Sequence, residues 1–151
     1  MKQSTTMGES VPTSDVVIQG KKVAQWELEW QRRAGGFTGD RTDLRHKIGL
    51  LRAVLNGTVM YIGVATEHKG GLAKRIADFV RESNSARKTF AGQKIHESRH
   101  VLELEVLLIS AGANARSDAK QLKSLMLMIR RPEWNQRQKP IKAARSARNI
   151  D

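Results

Sequence analysis

Two apolar runs, Ile48 to Leu55 and Thr58 to Ala65, are separated by Asn56-Gly57 alone. Asn-Gly supplies the positive φ angles that a two-residue type I′ turn requires, so the pattern predicts an antiparallel hairpin. Gly70-Gly71 then opens a segment in which Leu72, Ile76, Phe79 and Val80 share a helical stripe while Lys74, Asp78 and Arg81 fall elsewhere, which predicts a helix packed across the hairpin. In Val101 to Ile109, Leu102, Leu104, Val106 and Leu108 alternate with Glu103 and Glu105, the pattern of a third strand with one solvated face. Ala115 to Arg131 repeats Leu122, Leu125, Met126 and Ile129 at helical spacing and stops at Pro132, so a second main helix is expected there. Met126 and Met128 read as core filler on that helix. Together these elements predict an α/β domain, a small three-stranded sheet flanked by helices.

The remaining segments are patterned more weakly. Val23, Trp26 and Trp30 are spaced three and four apart before Gly35-Gly36, which predicts a short helix between Lys21 and Arg33, its tryptophans docked on their own domain. Gly35 to Asp43 reads as a loop. Glu82 to His100 scatters Arg87, Lys88, Lys94 and Arg99 among Ser, Gly and Gln and reads as a flexible basic connection. Met1 to Ser14 is polar and rich in Ser and Thr, without the apolar centre of a secretory signal. The organisation expected is a disordered leader over 1–20, an N-terminal helix and loop over 21–43, the main domain over 44–136 and a basic tail over 137–151.

Charge turns this outline toward function. Across 151 residues, 27 Lys+Arg stand against 15 Asp+Glu, a formal +12, which favours an anionic partner, nucleic acid first. The tail contributes five of the cations, Arg137, Lys139, Lys142, Arg145 and Arg148, against Asp151. A merely solvated basic surface is the competing reading. No cysteine is present, so disulfides, thiolate metal sites and cysteine nucleophiles are excluded. No apolar run is long enough for a membrane span, and a cytoplasmic protein without a membrane partner is expected.

His96-Glu97-Ser98-Arg99-His100 satisfies the pattern in which two histidines one helical turn apart hold zinc. The run leads straight into a strand, Arg99 sets a positive charge beside any metal, and no third ligand follows, so a chance match is the better reading and no metal ligand is assigned.

The hairpin and the segments after it, from Leu44 to Gln136, resemble the GIY-YIG nuclease family. Gly49-Leu50-Leu51 stands at the first motif, Tyr61-Ile62-Gly63 matches the second, Arg75 occupies the helix arginine, and Pro132-Glu133-Trp134-Asn135 resembles the closing Pro-x-x-Asn. The resemblance implies metal-dependent phosphodiester hydrolysis, with a base to deprotonate water, a glutamate to hold Mg²⁺ and an arginine to steady the phosphate charge. Tyr61 and Arg75 are the catalytic candidates if the chain is active. Leu51, however, replaces the first tyrosine, Phe79 stands one turn beyond the arginine where a polar ring is common, and the register of the metal-binding glutamate falls on Lys123. An ammonium repels Mg²⁺, and the nearest carboxylate on that helix is Asp118, five residues away. The expectation is therefore nucleic-acid binding on a degenerate scaffold, with Lys74, Arg75, Lys123, Asn135, Arg87 and Lys88 as contacts and no cofactor. Two alternatives stand beside it. One is an active, divergent Mg²⁺-dependent endonuclease that recruits Glu67, Glu97 or Glu133; the other is an interaction module that binds or inhibits a protein partner. Taken singly, Tyr61, Arg75 and Asn135 also read as a strand aromatic, a surface ion pair and a turn residue.

Overall fold

A computed structural model describes residues 12–81 and 89–136. The expected hairpin is its centre. Strands β4 (Gly49–Leu55) and β5 (Thr58–Ala65) pair antiparallel from Gly49 opposite Ala65 to Leu55 opposite Thr58, with a bulge at Ala53/Val54. Asn56 and Gly57 take φ of 52° and 81°, the left-handed pair that the turn requires. Helix α2 (Gly71–Val80) packs on one sheet face and α4 (Ala115–Arg130) on the other.

The sheet is antiparallel and helix-flanked as expected, and it has a fourth strand. Its order is β3 (Gln31–Arg33), β6 (Glu103–Leu108), β4, β5, which leaves β5 as one edge. The extra strand corrects the predicted helix over Lys21 to Arg33. That segment divides into β2 (Lys21–Lys22), α1 (Val23–Trp26), a 3₁₀ turn at Glu27–Glu29, and β3, whose Arg32 and Arg33 sit opposite Glu105 and Leu104. Gln-Arg-Arg has no apolar period, and only pairing with the open side of β6 makes it a strand. Trp26 does dock on its own domain: it is buried and its indole N–H donates to the Ile18 carbonyl at 2.9 Å. Ile18 belongs to β1 (Val17–Ile18), which pairs with β2, so the leader expected over 1–20 is structured from residue 12 onward.

Two further expectations change. The loop over 82–100 contains helix α3 (Phe90–Glu97), whose Ala91, Gly92 and Ile95 are buried and whose Thr89 hydroxyl accepts from Gly92 N–H at the N-cap. Gly92, a poor helix former, weakened the sequence signal. The polar face of β6 is only partly solvated: Glu103 is half-exposed, while Leu108, expected on the core side, is exposed. Leu104 and Val106 enter the α2-side core, Leu107 enters the α4-side core, and Glu105 is drawn into ion pairing with Arg52. On α4, Met126 fills the core and Met128 is exposed. Among the described residues no helix is long and apolar enough to cross a membrane.

Candidate nucleic-acid interface

The edge strand β5 positions the site, and the reason begins with Gly63. Successive residues of a strand point to opposite faces, so Tyr61 and Gly63 share the α2 face. A Cβ on Gly63 would lie 2.8 Å from the Tyr61 ring, so the glycine is the space into which that ring folds. Gly49 is required for a different reason: a Cβ there would run into the Leu107 carbonyl oxygen across the sheet. The glycines of both motif segments therefore serve the packing of the hairpin.

Laid down over Gly63, Tyr61 is 5% exposed and meets Phe79 of α2 edge-on, with ring centroids 5.8 Å apart. One helical turn earlier on α2, Arg75 sets its guanidinium 5.2 Å from the same Phe79 ring and donates from Nη2 to the Tyr61 hydroxyl at 3.4 Å. Phe79, read from sequence as the loss of a polar group, is thus the apolar wall that aims both Tyr61 and Arg75; its place on the helical stripe was the available signal. Leu51, the other departure from the family pattern, is fully buried in the core beneath.

Lys123 lies on α4, which packs on the opposite sheet face. It is half-buried, and burial first and the positive charge of Arg75 second push its pKa below the ordinary lysine value. The two cations are therefore near enough to feel each other, and neither has a carboxylate within ion-pair distance among the described residues. Lys74 is exposed and different in kind, since its ammonium lies 3.4 Å from Asp78, which Arg81 also contacts.

Asn135 is tied to the same edge: its side-chain carbonyl accepts from Ile62 N–H at 2.8 Å and its amide donates to the Ile62 carbonyl at 2.9 Å, so it brackets the backbone of β5. Arg87 and Lys88 lie outside the described residues.

The donor set does not fit a Mg²⁺ site. Among the described residues no three Asp, Glu or His side chains cluster as ligands. The carboxylate position implied by the resemblance holds the Lys123 ammonium. Asp78 is engaged by two cations, and Asp118 accepts from the Gln19 amide at 3.1 Å. Glu97 accepts from Gln93 at 3.1 Å. Glu67 comes nearest, lining with Thr66, Lys74, Arg75 and Asp78 a shallow depression of about 200 Å³. The zinc-like histidine pair is also dissolved by the fold. His96 is buried at the end of α3 with Nδ1 3.0 Å from the Phe79 carbonyl, and the helix stops at Glu97, before His100.

No protein-family model and no curated protein matches the chain. Among solved structures it is similar to the GIY-YIG N-terminal endonuclease domain of UvrC from Thermotoga maritima bound to its catalytic divalent cation, magnesium. The two are 20% identical over 60% of this chain and 85% of that one, with a TM-score of 0.45. A point mutant of the same domain, bound to its catalytic divalent cation, is similar at 20% identity over 60% of this chain and 84% of that one, again with a TM-score of 0.45.

Proposed function

We propose that the chain is a nucleic-acid-binding protein on a GIY-YIG-like scaffold, with hydrolysis lost or much reduced, and that Arg75, Lys123 and the Tyr61 hydroxyl hold one phosphate of the backbone, DNA before RNA. The observation that supports this reading is Arg75 held against Phe79 and the Tyr61 hydroxyl at the β5 edge without a carboxylate partner among the described residues, with its positive charge felt at Lys123. Two like charges at a half-buried site oppose each other, and an anion between them reverses the sign of that interaction. A phosphate suits the pair, because guanidinium offers a fork of donors matched to two phosphate oxygens and ammonium adds a point charge. The Tyr61 hydroxyl, which accepts from Arg75, keeps its own proton to donate.

Hydrolysis asks more of the site than binding does. With no water-orienting hydroxyl at Leu51 and an ammonium at Lys123, these positions supply charge neutralisation and neither a base nor a metal ligand, and among the described residues no carboxylate cluster takes over the metal's role.

The test is incubation of the full chain with supercoiled plasmid, with and without Mg²⁺, beside a binding titration against salt. The expected result is retention of DNA that weakens steeply with added salt, without nicking. Mg²⁺-dependent nicking that disappears in Arg75→Ala overturns the binding-only reading in favour of an endonuclease. Absence of nucleic-acid affinity at low salt overturns both and leaves a protein-binding module.

A further inference from the structure

A larger groove lies across α2 from the Tyr61–Arg75 edge. It encloses about 920 Å³, with five cations in its lining, Arg41, Arg45, Lys69, Lys74 and Arg81, against two carboxylates, Asp40 and Glu67. Its floor along α2 is Ala73 and Ala77, one turn apart, so the helix turns small side chains to the groove and leaves it open. Three of the five cations are committed. Lys74 and Arg81 share Asp78, and Arg41 donates to the Phe37 and Gly39 carbonyls. Arg45 and Lys69 are exposed and have no carboxylate partner among the described residues. Asp40, with its pKa held low chiefly by the Thr42 backbone N–H and hydroxyl, stays ionised and already engaged at the rim. Lys74 and Glu67 line both this groove and the depression beside Arg75, so the two are contiguous over the shoulder of α2.

The chain's aromatic side chains restrict what can lie there. All seven, three Trp, one Tyr and three Phe, fall among the described residues, and none is exposed. Five are buried. The two partly exposed rings are already covered, Trp30 by the Arg52 guanidinium at 4.3 Å and Phe90 by the Lys94 ammonium at 5.7 Å. The one ring lining the groove is His46, whose Nδ1 lies 3.2 Å from the His68 carbonyl oxygen and 3.4 Å from the Gly70 nitrogen and whose ring lies 6.1 Å from that of His68. Surfaces that hold single strands combine a positive groove with a succession of exposed aromatic rings on which unpaired bases stack. This surface has the first component and lacks the second.

We propose that the groove of Arg45 and Lys69 is a second phosphate-binding site, continuous over Lys74 with the Arg75–Lys123 site, that takes the sugar–phosphate backbone of base-paired nucleic acid and makes no use of the bases. The proposal rests on the nucleic-acid reading of the Arg75 edge and extends the footprint to both sides of α2. Backbone contacts of this kind are indifferent to sequence and fix the register of a duplex on the protein.

The test uses the full chain, a short blunt DNA duplex of arbitrary sequence, a second duplex of different sequence, and the separated strands. Arg45→Ala/Lys69→Ala removes two exposed, unpaired side chains, and unchanged thermal melting confirms that the variant is folded. The expected result is a duplex affinity about tenfold weaker, with the slope of log affinity against log salt shallower by roughly 1.8, two lost phosphate contacts at about 0.9 each. Both duplexes bind alike, and the single strands bind more weakly. A double variant that binds duplex as the parent does, while Arg75→Ala weakens it, overturns the groove and leaves the Arg75 reading standing. Single strands bound as tightly as duplex overturn the base-paired assignment. A parent chain without affinity for either form overturns the groove together with the reading beneath it.

Discussion

Arg52 and Arg75 flank the same hairpin, and each presents its guanidinium to an aromatic ring, at 4.3 Å from Trp30 and 5.2 Å from Phe79. Their surroundings are otherwise opposite. Arg52 projects from β4 opposite Glu105 and pairs with Glu105 and Glu27, with side-chain exposures of 12%, 21% and 23% for the three, and Arg130 adds a second contact to Glu27. Arg75 is exposed, donates to a phenol and has another cation, Lys123, within reach of its field. A cation closed in by its own carboxylates has its charge answered within the fold and serves the fold. One set at a sheet edge beside another cation has a charge left over for something outside. The distinction separates structural from recruiting arginines more sharply than the count of basic residues does.

The largest effect expected from breaking this comparison is on the structural side. Arg52→Met leaves Glu27 and Glu105 partly buried and short of their partner, and chemical denaturation should show a loss of about 3 kcal/mol, while the variant that remains folded binds nucleic acid as before. Arg75→Ala should do the reverse. Titration should show a tenfold to hundredfold loss of affinity and a shallower salt slope, with stability within about 1 kcal/mol of the parent. A larger stability loss for Arg75→Ala than for Arg52→Met would erase the contrast.

Asn135→Ala sharpens it from a third direction. It removes both bonds to the Ile62 backbone, so about 1–2 kcal/mol of stability should be lost in denaturant, and affinity should fall only through the disturbed placement of Tyr61. The smallest effect is a pH profile. Because burial and Arg75 lower the folded-state pKa of Lys123, carrying its charge in the fold has a cost that is fully present below that pKa and disappears as pH rises toward the unfolded-state value. A phosphate needs the ammonium, so affinity should decline with rising pH earlier than for an ordinary lysine. Lys123→Arg, which keeps its charge, should flatten the decline in the same titration.

Where local pattern and final environment agree, the sequence was readable. The hairpin, α2, β6 and α4 each carry a period set by one buried face, and their positions followed from it. Gln31–Arg33 has no such period, since its strand character comes from β6, more than seventy residues away in sequence. Helix α3 was hidden by Gly92, although Thr89 three residues earlier was a usable N-cap signal. In the candidate site, Tyr61 and Arg75 stand out in the sequence because they lie in a short ordered motif, and Lys123 because its charge contradicts the role implied at its position. The bracket that Asn135 forms was not legible, because a side chain that bonds a strand's backbone and one that faces solvent look alike in a sequence. Arg45 and Lys69 were invisible because nothing local distinguishes a loop cation that lines a groove from one that does not.

The bracket formed by Asn135 also governs how the molecule meets copies of itself. An edge strand is a growing end: a strand from another molecule can dock on its unpaired backbone groups and extend the sheet without limit. On β5 that growth is obstructed at its middle, because the N–H and C=O of Ile62 are already occupied by a side chain of the same chain. One asparagine therefore makes the edge that faces the proposed ligand a terminated one, and its loss should be felt in the colloidal behaviour of concentrated protein as well as in the stability of a single fold.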